Sequence, residues 1–366
     1  MNRRNQILSG IALLQVVLIA LVFWPGRGAS AAAEPLFSGV TLDDIQAITI
    51  HQGDTSVHVA RGGDGWVLPE ADDFPVTSLT ATDTISKVLE INTRRLVASD
   101  ASSHARLQVT EDDAVRTVAL ETKGGDTLTL IVGSSPSFRA TNVRRSGSDD
   151  VYITNNLQAS DLKTDYGSWV DTSYLAIPQT DVTGLTVTNG QGTLTFTKVS
   201  TDTWTLTDIA AGETFNQNNL SSLLTRISGI NMVKPLGKED KADYGMTTPG
   251  ATVTIDWQNT GGEAQTTTLT VGAEPLENGN YVLKSSDSAY YVEVAKFVVD
   301  NILNRGRADY LQAPEESEGT PIDGSGTVTA TNFITSFSDI GDMSAITAPA
   351  TLTGTSTLTA TENVTP

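Results

Sequence analysis

The sequence predicts an α+β fold: two tandem duplicated domains with antiparallel sheets and a few helices, preceded by one transmembrane helix. Three observations carry this expectation. Strand-like alternation recurs at a fixed register, hairpin-length connections outnumber helical ones, and an uncharged apolar run opens the chain. The repeat is plainest where Asp44-Ile45-Gln46-Ala47-Ile48-Thr49-Ile50, closed by Gly65-Trp66-Val67-Leu68, returns as Asp181-Val182-Thr183-Gly184-Leu185-Thr186-Val187, closed by Thr203-Trp204-Thr205-Leu206. Ile91-Asn92 recurs as Ile230-Asn231, Leu130-Ile131-Val132-Gly133 as Leu269-Thr270-Val271-Gly272, and Tyr152 as Tyr291. A register held over a domain length signals duplication of one folding unit, and two long copies are too few for a solenoid.

The elements follow in order. Residues 1–24 read as a signal anchor, because Arg3 and Arg4 precede 18 uncharged residues, Ile7 to Trp24. Such a run spans about 27 Å as a helix, close to the hydrocarbon thickness of a bilayer. Positive charge before it favours a cytoplasmic N-terminus, and Pro25-Gly26 then breaks the helix. The bulk of the chain is thereby expected outside the cytoplasm, on a single-pass protein of the cell membrane. A cleaved signal peptide is the alternative, since Ala29-Ser30-Ala31 and Ala31-Ala32-Ala33 offer small residues at suitable positions. Residues 25–37 form a short linker.

The first copy is assigned to 38–176. Strands Ile45 to Ile50 and Val57 to Ala60 join through Gln52-Gly53-Asp54 as a hairpin, and Trp66 ends a third strand. A helix follows, marked by Ala81, Ile85, Val88 and Leu89. Its counterpart is marked by Leu220, Leu223, Leu224 and Ile227, which one helix face presents together. A second hairpin turns at Gly124-Gly125 in the first copy and at Gly261-Gly262 in the second. Each copy then adds two strands, Ala140 to Val143 with Val151 to Thr154, and Asn280 to Leu283 with Tyr290 to Val294. The second copy, 177–313, closes with a helix carrying Val298, Val299, Ile302 and Leu303; the first has a shorter, more polar equivalent at Leu157 to Leu162. The stretch 314–366 is rich in Thr, Ala, Ser and Gly, lacks lysine and arginine, and is expected to be disordered for want of apolar surface.

Together these landmarks resemble the bacterial envelope proteins of the domain of unknown function 4340 family, in two tandem copies. The resemblance lies in the N-terminal anchor, the aspartate before an alternating strand, the Trp-closed hairpin, Leu269 to Gly272, Tyr281-Val282, and Ala242-Asp243-Tyr244-Gly245-Met246-Thr247-Thr248-Pro249. That last segment is degenerate in the first copy, as Ala105-Arg106-Leu107-Gln108-Val109-Thr110-Glu111-Asp112. The resemblance implies a non-enzymatic extracytoplasmic module. Relatives often sit in gene neighbourhoods with ABC-type export permeases and gliding-motility-like auxiliary subunits.

Composition narrows the chemistry. With 43 acidic against 23 basic residues the net charge is −20, which disfavours nucleic acid as a partner. The absence of cysteine removes disulfides and thiol chemistry. The three histidines, His51, His58 and His104, form no metal-binding spacing; His51 and His58 could face each other across a hairpin, but solvated strand positions are the simpler account. Acidic pairs such as Asp43-Asp44 and Asp72-Asp73 lack the alternation of a calcium loop. No catalytic, cofactor or metal residues are assigned, and no cofactor is expected. One positive concentration stands out, Arg94, Arg95, Arg139, Arg144 and Arg145. It is the candidate partner-binding surface, with protection of a strand edge as the plainer alternative. Trp66 and Trp204 are expected in the core. The functional expectation is a membrane-anchored extracytoplasmic binding or scaffold protein, auxiliary to an ABC-type export or envelope assembly. Its partner would be a membrane protein, a permease or auxiliary subunit; the alternative is a cell-wall or carbohydrate-binding surface module.

Overall fold

A computed structural model describes residues 33–312, together with Gln15. The expected anchor at 1–24 apart from Gln15, most of the linker and the expected tail at 314–366 lie outside the described residues. Among the described residues no helix is long and apolar enough to cross a membrane.

Two large antiparallel sheets account for most strands. The first contains β1 (Ile45–Gln52), β2 (Thr55–Arg61), β3 (Trp66–Leu68), β4 (Phe74–Pro75), β5 (Leu96–Ala98), β6 (Arg116–Thr122), β7 (Thr127–Val132), β8 (Thr141–Arg145) and β9 (Val151–Thr154). Their order is β4-β3-β2-β1-β6-β7-β8-β9-β5. The short strands β10 (Ser173–Ala176) and β14 (Gly229–Asn231) pair with each other. The second sheet holds β11 (Val182–Asn189), β12 (Gly192–Ser200), β13 (Thr203–Leu206), β15 (Lys234–Gly237), β16 (Ala251–Gln258), β17 (Ala264–Val271), β18 (Tyr281–Ser285) and β19 (Tyr291–Val294), in the order β13-β12-β11-β16-β17-β18-β19-β15. Apart from β4, the two orders are the same. Four helices complete the described chain: α1 (Ser78–Leu89), α2 (His104–Leu107), α3 (Gln217–Ser228) and α4 (Lys296–Asn304).

Local chemistry explains the main elements. β1 and β2 meet at Gly53-Asp54, where Gly53 takes the positive φ that a two-residue hairpin turn demands. Along β1, Ile48 and Ile50 are buried and Thr49 and His51 lie on the other face, the period-two pattern of a half-buried strand. Helix α1 buries Ala81, Ile85 and Val88, and α3 buries Leu220, Leu223, Leu224 and Ile227. At the start of α3 the Asn216 side chain accepts a hydrogen bond from Asn219 N–H. Trp66 and Trp204 are both buried in the main core. Trp66 opens β3 rather than ending it, because the Gly62–Gly65 turn closes immediately before it and sets Trp66 opposite Arg61 and Val67 opposite Ala60.

One contact recurs and dictates sequence. In each half a turn sits over the glycine just past the end of the second strand of the second hairpin. Gln108 takes a left-handed conformation after α2, and Gly245 does so after the 3-10 turn Ala242–Tyr244. A Cβ at Gly133 would lie 2.3 Å from Leu107 O, and one at Gly272 would lie 2.2 Å from Tyr244 O. Only glycine permits that approach. Gly133 N–H donates to Asn142 O, and Gly272 N–H to Val282 O. Asn142 faces Ile153 across the sheet and Val282 faces Glu293. The connection after Gly272 is thus one residue longer than that after Gly133, so the expected equivalence of Tyr152 with Tyr291 is off by one: in the strand pairing Tyr152 matches Val292.

In each half a backbone hydrogen bond ties the returning chain to the start of the helix. Thr77 N–H, at the N-cap of α1, donates to Trp169 O at 2.8 Å; Asn216 N–H, at the N-cap of α3, donates to Tyr310 O at 2.9 Å. Trp169 and Tyr310 are both fully buried. β10 lies on the first-copy side of the expected 176/177 boundary, yet it pairs with β14 beyond α3.

The halves meet along a polar seam. Asp72 and Asp73 both adopt left-handed backbone conformations, φ 53° and 60°. This aims Asp72 Oδ2 at Lys238 N–H, 2.5 Å away, while Tyr290 Oη donates to Asp73 O at 3.2 Å and the Phe74 and Tyr290 rings meet edge to face at 4.7 Å. Gly237, at φ 97°, provides the room: a Cβ there would lie 2.5 Å from Asp72 Oδ2. Nearby, Tyr174 Oη accepts from Ser285 N–H at 2.9 Å and donates to Tyr290 O at 2.7 Å.

Replacing Gly133 or Gly272 with Ala is expected to cost at least about 1–3 kcal/mol, the usual penalty of overpacking. Thermal unfolding of each variant measures it. Burial raises the Tyr174 pKa above its ordinary value. Its folded pKa thus exceeds the unfolded one, so the associated stability is present below about pH 10 and lost as pH rises beyond it. Tyr174→Phe is expected to lower stability at neutral pH by about 1–3 kcal/mol, by leaving Ser285 N–H unpaired, and to flatten the alkaline limb of the unfolding profile.

Candidate functional site

The five arginines singled out in the sequence do not form one surface. Arg144, on β8, is buried: its Nε donates to Val109 O at 2.8 Å and its Nη1 to Ser148 O at 3.0 Å. Its neighbour Arg145 faces the other side of the sheet, with its guanidinium 5.9 Å from the centre of the Phe37 ring. Together with Thr93, Ser146, Ser148 and Tyr152 it lines a shallow cleft of ≈ 330 Å³. Arg139 sits in the β7–β8 connection at φ 56°, beside the exposed Phe138 ring. Arg94 and Arg95 are exposed at the start of β5. Arg95 Nη1 donates to Asn155 Oδ1 at 2.9 Å.

Arg94 and Arg95 line a second cleft, also ≈ 330 Å³, with Glu90, Asn92, Asn155 and Asn156. It lies between the end of α1, the start of β5 and the end of β9. The same place in the second half, between α3, β15 and β19, holds a cleft of ≈ 410 Å³ lined by Arg226, Asn231, Met232, Val233, Ala295 and Phe297. The equivalence follows from pairing: Ile153 N–H donates to Arg95 O, and Glu293 pairs with Lys234. The linings have diverged. Where the first half offers guanidinium and amide groups, the second offers apolar side chains, among them Phe297 at 64% exposure and Val233 at 42%. Arg226 Nη1 donates to Phe297 O at 2.9 Å, which fixes the rim.

Sequence reasoning missed Glu293. This carboxylate is buried on β19, where the first half has Ile153. Its Oε1 accepts from Asn278 Nδ2 at 2.8 Å and Asn280 Nδ2 at 2.5 Å, and Oε2 faces Lys234 Nζ at 3.3 Å. Amide donors and an ammonium thus surround a charge that could not be buried alone. The only signal for it was an acid interrupting an apolar strand. It lines neither cleft and acts as a clasp on the β17–β18 connection.

The histidines are separate. His51 lies opposite Ser56 and His58 opposite Thr49, so the two do not face each other. His58 Nδ1 is 3.5 Å from Glu70 Oε1, and the buried His104 places Nε2 3.0 Å from Asp149 O. Among the described residues no group of three or more His, Asp or Glu side chains is arranged to hold a metal ion. Trp66 has Arg61 stacked 4.3 Å from its ring centre, and Trp204 shows only an edge to a polar cleft with Gln179, Lys198, Asp202 and Gln217.

A family model, the domain of unknown function DUF4340, matches residues 66–249, half of the chain. The chain belongs to that family. The match is single, where two tandem copies were expected; it begins at Trp66 in the first sheet and ends at Pro249 in the second half, so it spans the seam. No curated protein and no solved structure matches the chain.

The split of the arginines has a measurable consequence. Arg144→Ala strands the buried Val109 carbonyl and the half-buried Ser148 carbonyl and is expected to cost about 1–3 kcal/mol, whereas Arg94→Ala and Arg95→Ala, at the surface, are expected to stay within about 0.5 kcal/mol of the parent. Chemical denaturation of the three variants distinguishes them.

Proposed function

We propose that the protein is a membrane-anchored, extracytoplasmic, non-enzymatic binding platform made of two duplicated copies, auxiliary to an ABC-type export or envelope assembly. The observation that carries this reading is the pair of equivalent clefts with different linings. A duplicated unit that keeps its strand order while one cleft is cationic and amide-rich and the other apolar can present two chemistries at a fixed separation. Duplication itself is supported by the shared strand order, the glycine contacts at Gly133 and Gly272, and the closing bonds to Trp169 and Tyr310.

The apolar cleft suits a membrane-protein partner. Phe297 and Val233 are large apolar side chains left open next to a concave surface, a combination typical of protein contacts. The anchor expected at 7–24 would confine both proteins to one bilayer, so a weak contact would suffice through effective concentration. The cell-wall alternative draws on the polar cleft beside Trp204, but that ring is 8% exposed and offers little face for a sugar to stack on.

The test is affinity purification of the full chain from detergent-solubilised native membranes, with Phe297→Asp as comparison. Recovery of a membrane protein with the parent, and at least a tenfold loss with the variant, supports the platform. Equal recovery of a membrane protein with both overturns the apolar cleft as the docking site, and recovery of wall glycan alone overturns the platform in favour of the wall-binding alternative.

A further inference from the structure

The first half places its Pro69–Asp73 and Tyr166–Ser168 segments against β15, the edge strand of the second sheet. Under that cover Pro235 and Gly237 are buried. Asp72 reaches the Lys238 N–H, and Gly167 packs so closely that a Cβ would lie 2.8 Å from Val233 O. The matching edge of the first sheet is β5, and among the described residues no segment covers it. Arg94, Arg95, Leu96 and Val97 are all exposed, the last two at 55% and 39%. Because Ile153 N–H donates to Arg95 O, antiparallel alternation turns the N–H and C=O of Leu96 away from β9, toward the open side.

The second half in turn carries counterparts of those covering segments that, among the described residues, lie over no sheet edge. The counterparts of Pro69–Asp73 and Tyr166–Ser168 are the loop from Thr207 to Gly212, where Asp208 repeats the left-handed conformation of Asp72 at φ 61°, and the 3-10 turn Arg307–Tyr310. Arg307 holds this pair together by donating to Asp208 O and to Glu213. The Asp208 side chain remains exposed. One molecule thus presents an uncovered edge flanked by two guanidiniums at one end, and an acidic covering loop at the other.

We infer that the β5 edge is an interaction surface for a second copy of this chain, which docks the Asp208 loop of its second half against Arg94, Arg95, Leu96 and Val97. The contact is the intramolecular seam repeated between molecules. It is heterologous, joining different surfaces of the two copies, so it propagates as a row or closes as a ring. It does not copy the seam atom for atom. Ala98 stands where the second half has Gly237, and Ala308 where the first has Gly167, so a Cβ blocks the close carboxylate-to-backbone approach on each side. The acidic side chain instead meets the guanidiniums of Arg94 and Arg95, groups the second half lacks at Val233 and Lys234. An exposed edge with apolar side chains is the kind of surface that folded proteins keep covered. The inference names the occupant for the cationic end of the platform proposed above and rests on that end being an interaction surface.

The absence of cysteine makes the test direct. Two full-length variants, Val97→Cys and Thr207→Cys, the latter keeping Asp208 intact beside it, are purified in detergent, mixed, and oxidised under mild conditions. The expected result is a mixed disulfide dimer formed at least tenfold faster than either variant forms with itself, and a ladder of higher species from the double variant. Adding Arg94→Glu and Arg95→Glu to the Val97→Cys chain is expected to suppress the mixed dimer at least fivefold, with the unfolding midpoint unchanged. Predominant Val97→Cys self-dimers indicate two-fold edge pairing and overturn the inference. Mixed dimers no faster than those of a control pair carrying Ser56→Cys overturn it too. Loss of partner recovery in Phe297→Asp with no mixed disulfide here sinks self-docking alone; the converse sinks the membrane-partner reading alone.

Discussion

Everything else in this structure depends on the return of the chain to the start of its own helix. In each half a strand-rich segment of more than a hundred residues ends with a buried aromatic whose carbonyl accepts the N-cap N–H, Trp169 for Thr77 and Tyr310 for Asn216. That N–H is one of the groups a helix cannot satisfy within itself. Using the last residue of the unit to satisfy it ties the beginning of the helix to the end of the fold. The sheet between them then combines local hairpins with the longer-range pairings of β1 with β6, β11 with β16, and the edge strands β5 and β15. The interfaces follow from the same closure, because the residues just before Trp169 are those that reach β15.

Much of the fold was legible because most of its strands come from hairpins with a buried face. Alternation at Ile48 and Ile50, turns at Gly53-Asp54 and Gly124-Gly125, and the leucine stripe of α3 are local signals that tertiary context did not override. The short strands escaped. β5 and β15 have three and four residues, too few to show a period, and Pro235 in β15 argues against a strand except at an edge, which is where it lies. β10 and β14 are equally short. The one-residue slip between Tyr152 and Tyr291 arose because a fixed spacing cannot show the extra residue that the second half carries between Gly272 and Val282.

The candidate site was legible only in part. Charge runs along a sequence say nothing of which face of a strand each residue takes. Arg144 and Arg145 are adjacent and therefore point to opposite sides of β8, one into the protein and one out. The apolar cleft at Met232, Val233 and Phe297 was invisible for a related reason: its lining comes from the strand after α3 and the start of α4, far apart in the chain. Glu293 shows the limit most clearly, since a single acid in a strand reads as an exposed position until Asn278, Asn280 and Lys234 are seen around it.

The asymmetry between the open β5 edge and the covered β15 edge has a consequence for biosynthesis. A ribosome releases the chain from its N-terminus, so the segments at 69–73 and 166–168 are finished before residue 234 emerges. The vulnerable edge of the second half is therefore born into the presence of its cover. A gene encoding the halves in the opposite order would produce the same two sheets, yet its first-made half would wait with β15 bare until translation of the other was complete. Direction of synthesis, and not only the final packing, thus protects this sheet from mispairing.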